Sequence, residues 1–410
     1  MHRLARKLVL FTALALLAGA CGGDDGGGNE GAQSGGEKKP IIVGAIFDQS
    51  GPTSDVGTPY SEGIQAYVKF KNDSGGIDGH KIDLRFSDFG YKVPNAEQLY
   101  SQYVSEGAIA FMGWGTADTE ALRTRVTSDE IPFMSASYAE TLANPEETPF
   151  NFFPGPSYSA QLRAVLKYVS EQEKGAQVKL AVFHHDSPFG TSPIEDGQKY
   201  IDENKLKIEM LAVKMPTGAQ DFNPQLQNEG KGAKYIVIQN VPSPSAKLAQ
   251  NIRAAGNQAT IICMNWCGDE IFLKGAGKIA EGVVAVMPFA PATGGAEGLK
   301  DLVTVTGSEA NLEAKTLRYV QGWFTMATMA EGIAKALETA DGGDITGADV
   351  KAALETVKDF ETGGVSKPIT FSETNHAGLK STPLYVVKGE TLPDGTWKGH
   401  FEKLADEIDI

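Results

Sequence analysis

Short β-branched or apolar runs alternate along this chain with longer amphipathic segments, and that alternation restricts the fold more than any other feature. Ile41–Phe47 reads as a strand and 59–72 as a helix; 82–87 is a strand and 94–106 a helix; 109–112 is a strand and 118–129 a helix; 132–135 is another strand. The pattern restarts with a helix over 157–173, a strand over 180–184 and a helix over 193–204. Strands over 208–214, 235–239 and 261–264 follow, the last two separated by a helix over 244–255 that ends at Gly256, a good C-cap. Repeated strand–helix order predicts parallel sheets covered by helices on both faces. After 282–287 the character changes. A long helix over 317–339 carries Val320, Phe324, Ala327, Ala330, Ile333 and Leu337 at helical spacing, with Trp323 and Phe324 expected in the core. A helix over 349–357 and short strands over 369–371, 384–388 and 397–403 complete the chain, with a hairpin turn at Pro393-Asp394-Gly395.

The first twenty residues read as an address. Arg3, Arg6 and Lys7 precede an uncharged run from Leu8 to Leu17, and Ala18-Gly19-Ala20 leads into Cys21. This is the pattern of a secretory signal. Its apolar run is ten residues, whereas spanning a bilayer takes about 20. Residues 22–39 are Gly-rich and polar, and such a stretch serves as a flexible tether because it has nothing to bury. Cys21 resembles the lipidated cysteine of bacterial lipoproteins, with Ala18 where Leu is commoner. The expectation is a signal peptide over 1–20 and a lipidated Cys21 with its tether over 21–40, placing the protein outside the cytoplasm on a bacterial membrane.

Charge excludes one class of partner. Removing residues 1–20 takes away three of 37 basic groups and none of the 52 acidic ones, leaving 34 against 52, a balance of −18. Nucleic-acid binding demands clustered Lys and Arg, and no basic run exists beyond Lys38-Lys39. The remaining 370 or so residues exceed one ordinary hydrophobic core and imply two domains. Cys263 and Cys267 are too few for a structural zinc site; a disulfide between them and two packed thiols both stay open.

In open parallel sheets ligands bind beyond the carboxyl ends of the strands. The loops there are Asp48 to Thr53, which includes Ser50; Gly113 to Thr119, with Trp114 and Thr116; Ser135 to Tyr138, with Ser137; His185 to Gly190, with Phe189; Asn240 to Ser243; and Asn265 to Asp269, with Trp266. Hydroxyls and free N–H groups at helix starts favour a carboxylate, glycines let the backbone approach, and aromatic rings supply flat apolar walls. Singly, each Ser, Thr or Asp here is equally an ordinary N-cap; the functional reading rests on the set. Catalytic signatures are missing: there is no Gly-x-Ser-x-Gly elbow, phosphate-binding Gly-Lys-Ser/Thr loop or His-Glu-x-x-His. His184, His185 and Asp186 do not form a metal site, since adjacent strand residues point to opposite faces; His184 is expected packed and His185 at a pocket rim. No cofactor is expected. A hydrolase would need paired acids with separated pKa values, and no such pair stands out.

Ser50-Gly51-Pro52, then Asn72-Asp73-Ser74-Gly75-Gly76-Ile77-Asp78-Gly79, resembles the start of the branched-chain amino-acid type periplasmic binding proteins; Asp88, Pro94, Ala96, the loop 113–119, Ile131-Pro132 and Ala280-Glu281-Gly282 extend the match across residues 41–390. The resemblance implies a type I periplasmic-binding fold: two doubly wound parallel-sheet lobes joined by a three-strand hinge, one over 41–156 plus 288–368, the other over 157–287 plus 369–410. It implies a monomeric, non-enzymatic receptor that hands a small molecule to the permease subunits of an ABC importer; a ligand sensor of the same fold is the alternative. Thr116 and Ser137 would then grip a ligand carboxylate, with Phe189 closing over it and Trp266 on the same side. Near Trp266 the acids are Asp269 and Glu270, a few residues later than amino-acid binders place theirs. Asp269 is the ammonium partner if the ligand is an amino acid; a carboxylate, amide or aromatic acid competes as ligand.

Overall fold

The computed structural model describes residues 38–341 and 343–409, apart from the side chains of 406, 407 and 409. The signal, Cys21 and most of the tether lie outside the described residues. Among the described residues, twelve strands form two sheets. The first contains β1 (Ile41–Phe47), β2 (Ile82–Asp88), β3 (Ala110–Gly113), β4 (Phe133–Ser135) and β5 (Asn151–Phe152), in the order β2-β1-β3-β4-β5, with every pair parallel. The second contains β6 (Val178–His185), β7 (Ile208–Met215), β8 (Tyr235–Gln239), β9 (Thr260–Cys263), β10 (Val284–Val286), β11 (Ser381–Thr391) and β12 (Trp397–Asp409), in the order β12-β11-β10-β9-β8-β6-β7. β11 alone runs antiparallel to its neighbours β10 and β12, and the β11–β12 hairpin closes where the Leu392 N–H donates to the Thr396 carbonyl. Strands such as β8 are buried throughout, as covering on both faces requires.

The chain passes between the sheets three times: after β5, after β10, and before β11. One expected boundary differs. The resemblance places residues 369–379 in the second lobe, yet Ile369, Phe371, Ala377 and Leu379 pack into the first sheet's apolar cluster. The cause is pairing: Gly378 donates to the Phe153 carbonyl, and Phe153 to that of His376, extending the edge beyond β5. After residue 288 the packing bridges both lobes: Phe289, Leu302, Val320 and Trp323 share a cluster with Phe183 and Ile236 of the second sheet and with Tyr67 and Phe70 of the first lobe.

Helix bounds moved for local reasons. The helix expected from Pro59 runs Ser54–Asp73, so Pro59 lies inside it. The long helix extends back to Glu309, with a break at Thr316, whose φ of 71° is left-handed. Trp323 is a core residue, edge-on to Tyr67.

Candidate functional site

The strand-end loops of the two sheets meet across a common gap. At the end of β1, buried Asp48 accepts from the Thr53 backbone N–H (2.8 Å) and the Thr53 hydroxyl (2.6 Å). Held there, the Thr53 hydroxyl accepts from the Trp114 indole N–H at 2.9 Å. Gly57 is required beside this loop, because a Cβ would fall 1.9 Å from the Asp48 carbonyl oxygen. At the end of β3, the Asp118 carboxylate accepts from the Gly115 N–H, capping helix Thr116–Ser128. The Thr116 and Ser137 hydroxyls, from the loops after β3 and β4, are 2.7 Å apart and buried.

The second lobe supplies the opposing wall. Phe189 follows β6, Val241 follows β8 and Trp266 follows β9. The Cys263–Cys267 disulfide encloses Trp266 in its loop. The Trp266 indole N–H donates to the Tyr158 hydroxyl at 2.8 Å, and its ring lies 5.5 Å from that of Trp114, 6.0 Å from Tyr60 and 5.9 Å from Tyr138. These residues bound an interlobe chamber lined by Thr53, Val56, Tyr91, Trp114, Gly115, Thr116 and Ala136 from one side and Tyr158, Phe189, Val241 and Trp266 from the other. Its free space is about 20 Å³, enough for roughly one water.

Of the residues singled out by sequence, Trp114, Thr116, Phe189 and Trp266 line this chamber. Ser137 reaches it only through Thr116, and Tyr138 stands behind Trp266, its hydroxyl accepting from Gln321. Asn240 faces a separate outer groove, and Ser50 is exposed outside the chamber. Asp269 does not line it: one carboxylate oxygen accepts from the Ile271 and Phe272 N–H groups, and the other lies 3.1 Å from the guanidinium of Arg318. Burial pushes the Asp269 carboxyl up, to about 7, against the pull of Arg318. Already committed to a helix start and a buried arginine, Asp269 is poorly placed to receive a ligand ammonium.

Sequence reasoning missed Tyr91, Tyr158 and Arg318. Tyr91 follows β2, so the strand-end rule applied to that loop finds it. Tyr158 opens the helix after the first interlobe passage, and Arg318 lies on a helix remote in sequence from the loop it holds. Neither carries a local signal.

Two titratable groups shape the electrostatics. Burial lowers the His185 pKa to about 4, keeping the imidazole neutral at pH 7, with Nδ1 2.7 Å from the Ser187 hydroxyl. Burial raises Asp118 to about 8, and the Asp48 charge adds to the rise. The folded chain therefore holds a proton that the unfolded chain releases above about pH 4. That stabilisation is complete below the unfolded value and is lost as pH rises through about 8. In D118N, the side-chain oxygen still accepts from Gly115. Relative to the parent, the variant is expected to melt several degrees higher at pH 9 than it does at pH 5; equal differences at both pH values, read by thermal melting, would refute a protonated Asp118. Among the described residues no group of three or more His, Cys, Asp or Glu is placed to hold a metal ion, and no helix is long and apolar enough to cross a membrane.

The family described as "Periplasmic binding protein" matches residues 40–395. The Leu/Ile/Val-binding protein homolog 3 of Brucella melitensis is 21% identical over 341 residues, covering 80% of this chain and 89% of its own. A branched-chain amino acid ABC transporter protein from Thermus thermophilus, solved with bound valine, superposes with a TM-score of 0.79 at 24% identity, over 90% of this chain and 97% of its own. A substrate-binding protein of an Aeropyrum pernix ABC transporter gives 0.76 at 27% identity (90% and 97%), and a fatty acid ABC transporter substrate-binding protein from Thermomonospora curvata gives 0.76 at 18% (90% and 93%). A match over most of the chain, together with two parallel-sheet lobes whose strand ends face one gap, places the chain in the periplasmic binding protein family with the type I fold.

Proposed function

We propose that this protein is the solute-binding receptor of an ABC importer, tethered outside the cytoplasm through Cys21, and that its ligand is a small carboxylate with an aliphatic or aromatic body. One observation carries the ligand class: five aromatic rings (Tyr91, Trp114, Tyr158, Phe189, Trp266) surround the chamber, the Thr116–Ser137 hydroxyl pair sits at a helix N-terminus, and no carboxylate lines the wall. A helix start with paired hydroxyls favours a negative group. Aromatic walls favour an apolar body. A primary ammonium has no anionic partner there. The relatives support the transport role, since proteins of this fold that carry valine or are described as fatty acid binders belong to ABC transporters. With room for about one water, the chamber takes up a ligand only when the lobes part and close again, a hinge motion.

Matched pairs test the ligand class. Titration calorimetry of isoleucine against 3-methylvalerate, and of phenylalanine against 3-phenylpropionate, should favour the acid lacking the ammonium in at least one pair. T116V should then weaken that acid about tenfold or more, the value of one charge-assisted hydrogen bond. Tighter binding of both amino acids than of their deaminated partners would reject this ligand class while leaving the receptor role standing.

A further inference from the structure

We propose that the outer groove of the second lobe is a second ligand site, for a small organic anion with an apolar body. The inference goes beyond the chamber reading and does not depend on it. The groove holds about 800 Å³, within the range of small-molecule sites, roughly 300–1,000 Å³. It lies at the carboxyl ends of β6, β7 and β8, where open parallel sheets bind ligands.

Its lining is selective in sign. Lys247 and Lys274 both line it, and no Asp or Glu does, in a chain with 52 acidic and 37 basic residues. Lys247 is half-buried, Lys274 is exposed, and neither has an ion-pair or hydrogen-bond partner among the described residues. Met215, Pro216, Ala246 and Ile271 supply apolar surface. The floor is close-packed, since a Cβ on Gly275 would stand 2.9 Å from that of Ala246. Lys side chains beside apolar surface suit an amphiphile whose head is anionic.

The groove also touches both lobes. Pro52 of the first lobe lines its edge. The Ser243 backbone N–H, at the start of helix Pro242–Ala254, is occupied by the Asp55 carboxylate of the first lobe at 2.9 Å, which leaves the two lysines as the cations free for an anion. His185 lines the groove while its ring lies 6.0 Å from that of Tyr91 and 5.7 Å from that of Phe189, so groove and chamber share a wall.

The test uses hexanoate, with hexanamide as its uncharged counterpart, on the purified full chain carrying T116V to remove the carboxylate grip of the chamber. Calorimetry should show hexanoate bound at least tenfold more tightly than hexanamide. Adding K247Q and K274Q should weaken hexanoate at least tenfold and leave hexanamide within twofold. Because neither lysine has a partner, the melting temperature without hexanoate should stay within about a degree. Absence of hexanoate binding, or affinity untouched by the lysine changes, overturns the groove site. Loss of hexanoate on T116V alone, compared with the parent, assigns it to the chamber and likewise overturns the groove, while the chamber reading is judged separately by the matched acid and amino-acid pairs.

Discussion

Arg318→Met is expected to destabilise the protein by about 3–5 kcal/mol, the range for breaking a buried ion pair by removing one partner. Arg318 is fully buried. Its Nε donates to Asp269 at 3.1 Å, one Nη to Gln321 at 2.9 Å, and the other to the carbonyls of Asn265 (2.6 Å) and Gly268 (3.1 Å). The guanidinium also lies 5.0 Å from the Trp266 ring. Methionine fills similar volume but strips the Arg318 bonds from one Asp269 oxygen, the Gln321 side-chain oxygen and two carbonyls in an apolar interior. Replacing both members, R318M with D269N, should recover part of the loss, since the amide oxygen retains the bonds from Ile271 and Phe272. The single change should also weaken ligand binding, because Arg318 grips the loop on either side of Trp266. Urea unfolding measures the first effect; a loss below about 1 kcal/mol would show that the pair carries no such weight.

The second large effect is expected from one methyl group. Helices Ser54–Asp73 and Glu309–Thr339 cross where Gly63 faces the Tyr319 carbonyl and Gly322 faces that of Tyr60. A Cβ on either glycine would stand 2.0 Å from the opposing oxygen. Both contacts are with backbone, so no side chain can swing away; the helices must separate. Overpacking of this kind costs typically 1–3 kcal/mol, occasionally more, against a helix-propensity gain of up to about 1 kcal/mol for Gly→Ala. Gly322→Ala should therefore lose on the order of 2 kcal/mol, and G63A a similar amount. The two together should lose less than the sum, because one separation of the helices relieves both contacts. A stabilised G322A in chemical denaturation would contradict the close crossing.

Local sequence settled the alternation of elements. β1 and β8 have the bounds that the sequence predicts, because strands buried on both faces are nearly unbroken apolar runs bounded by polar turns. β5 was not legible: two residues, Asn151 and Phe152, become a strand only because β4 offers them a free edge. The break at Thr316 was equally hidden, since nothing in the residue type calls for a left-handed φ. The same division applies to the site. Trp114, Thr116, Phe189 and Trp266 could be named from the rule that ligand loops follow strands, but the rule does not say which way a side chain faces. Thus Ser50 lies exposed outside the chamber, its side chain bonded to Asp88, and Asp269 turns inward to Arg318, 49 residues away in sequence.

Periodicity, length and composition, read residue by residue, therefore determined the parallel α/β class, a chain long enough for two domains, the loops that follow the strands and the net negative charge. Only the folded chain decided which of those side chains share a chamber, that Cys263 and Cys267 are bonded, and that an unpaired cationic groove adjoins the site. The physical reason is range: backbone propensity and hydrophobic period act over a few neighbours, whereas burial, ion pairing and ring contacts join residues up to hundreds of positions apart, whose meeting no local pattern encodes.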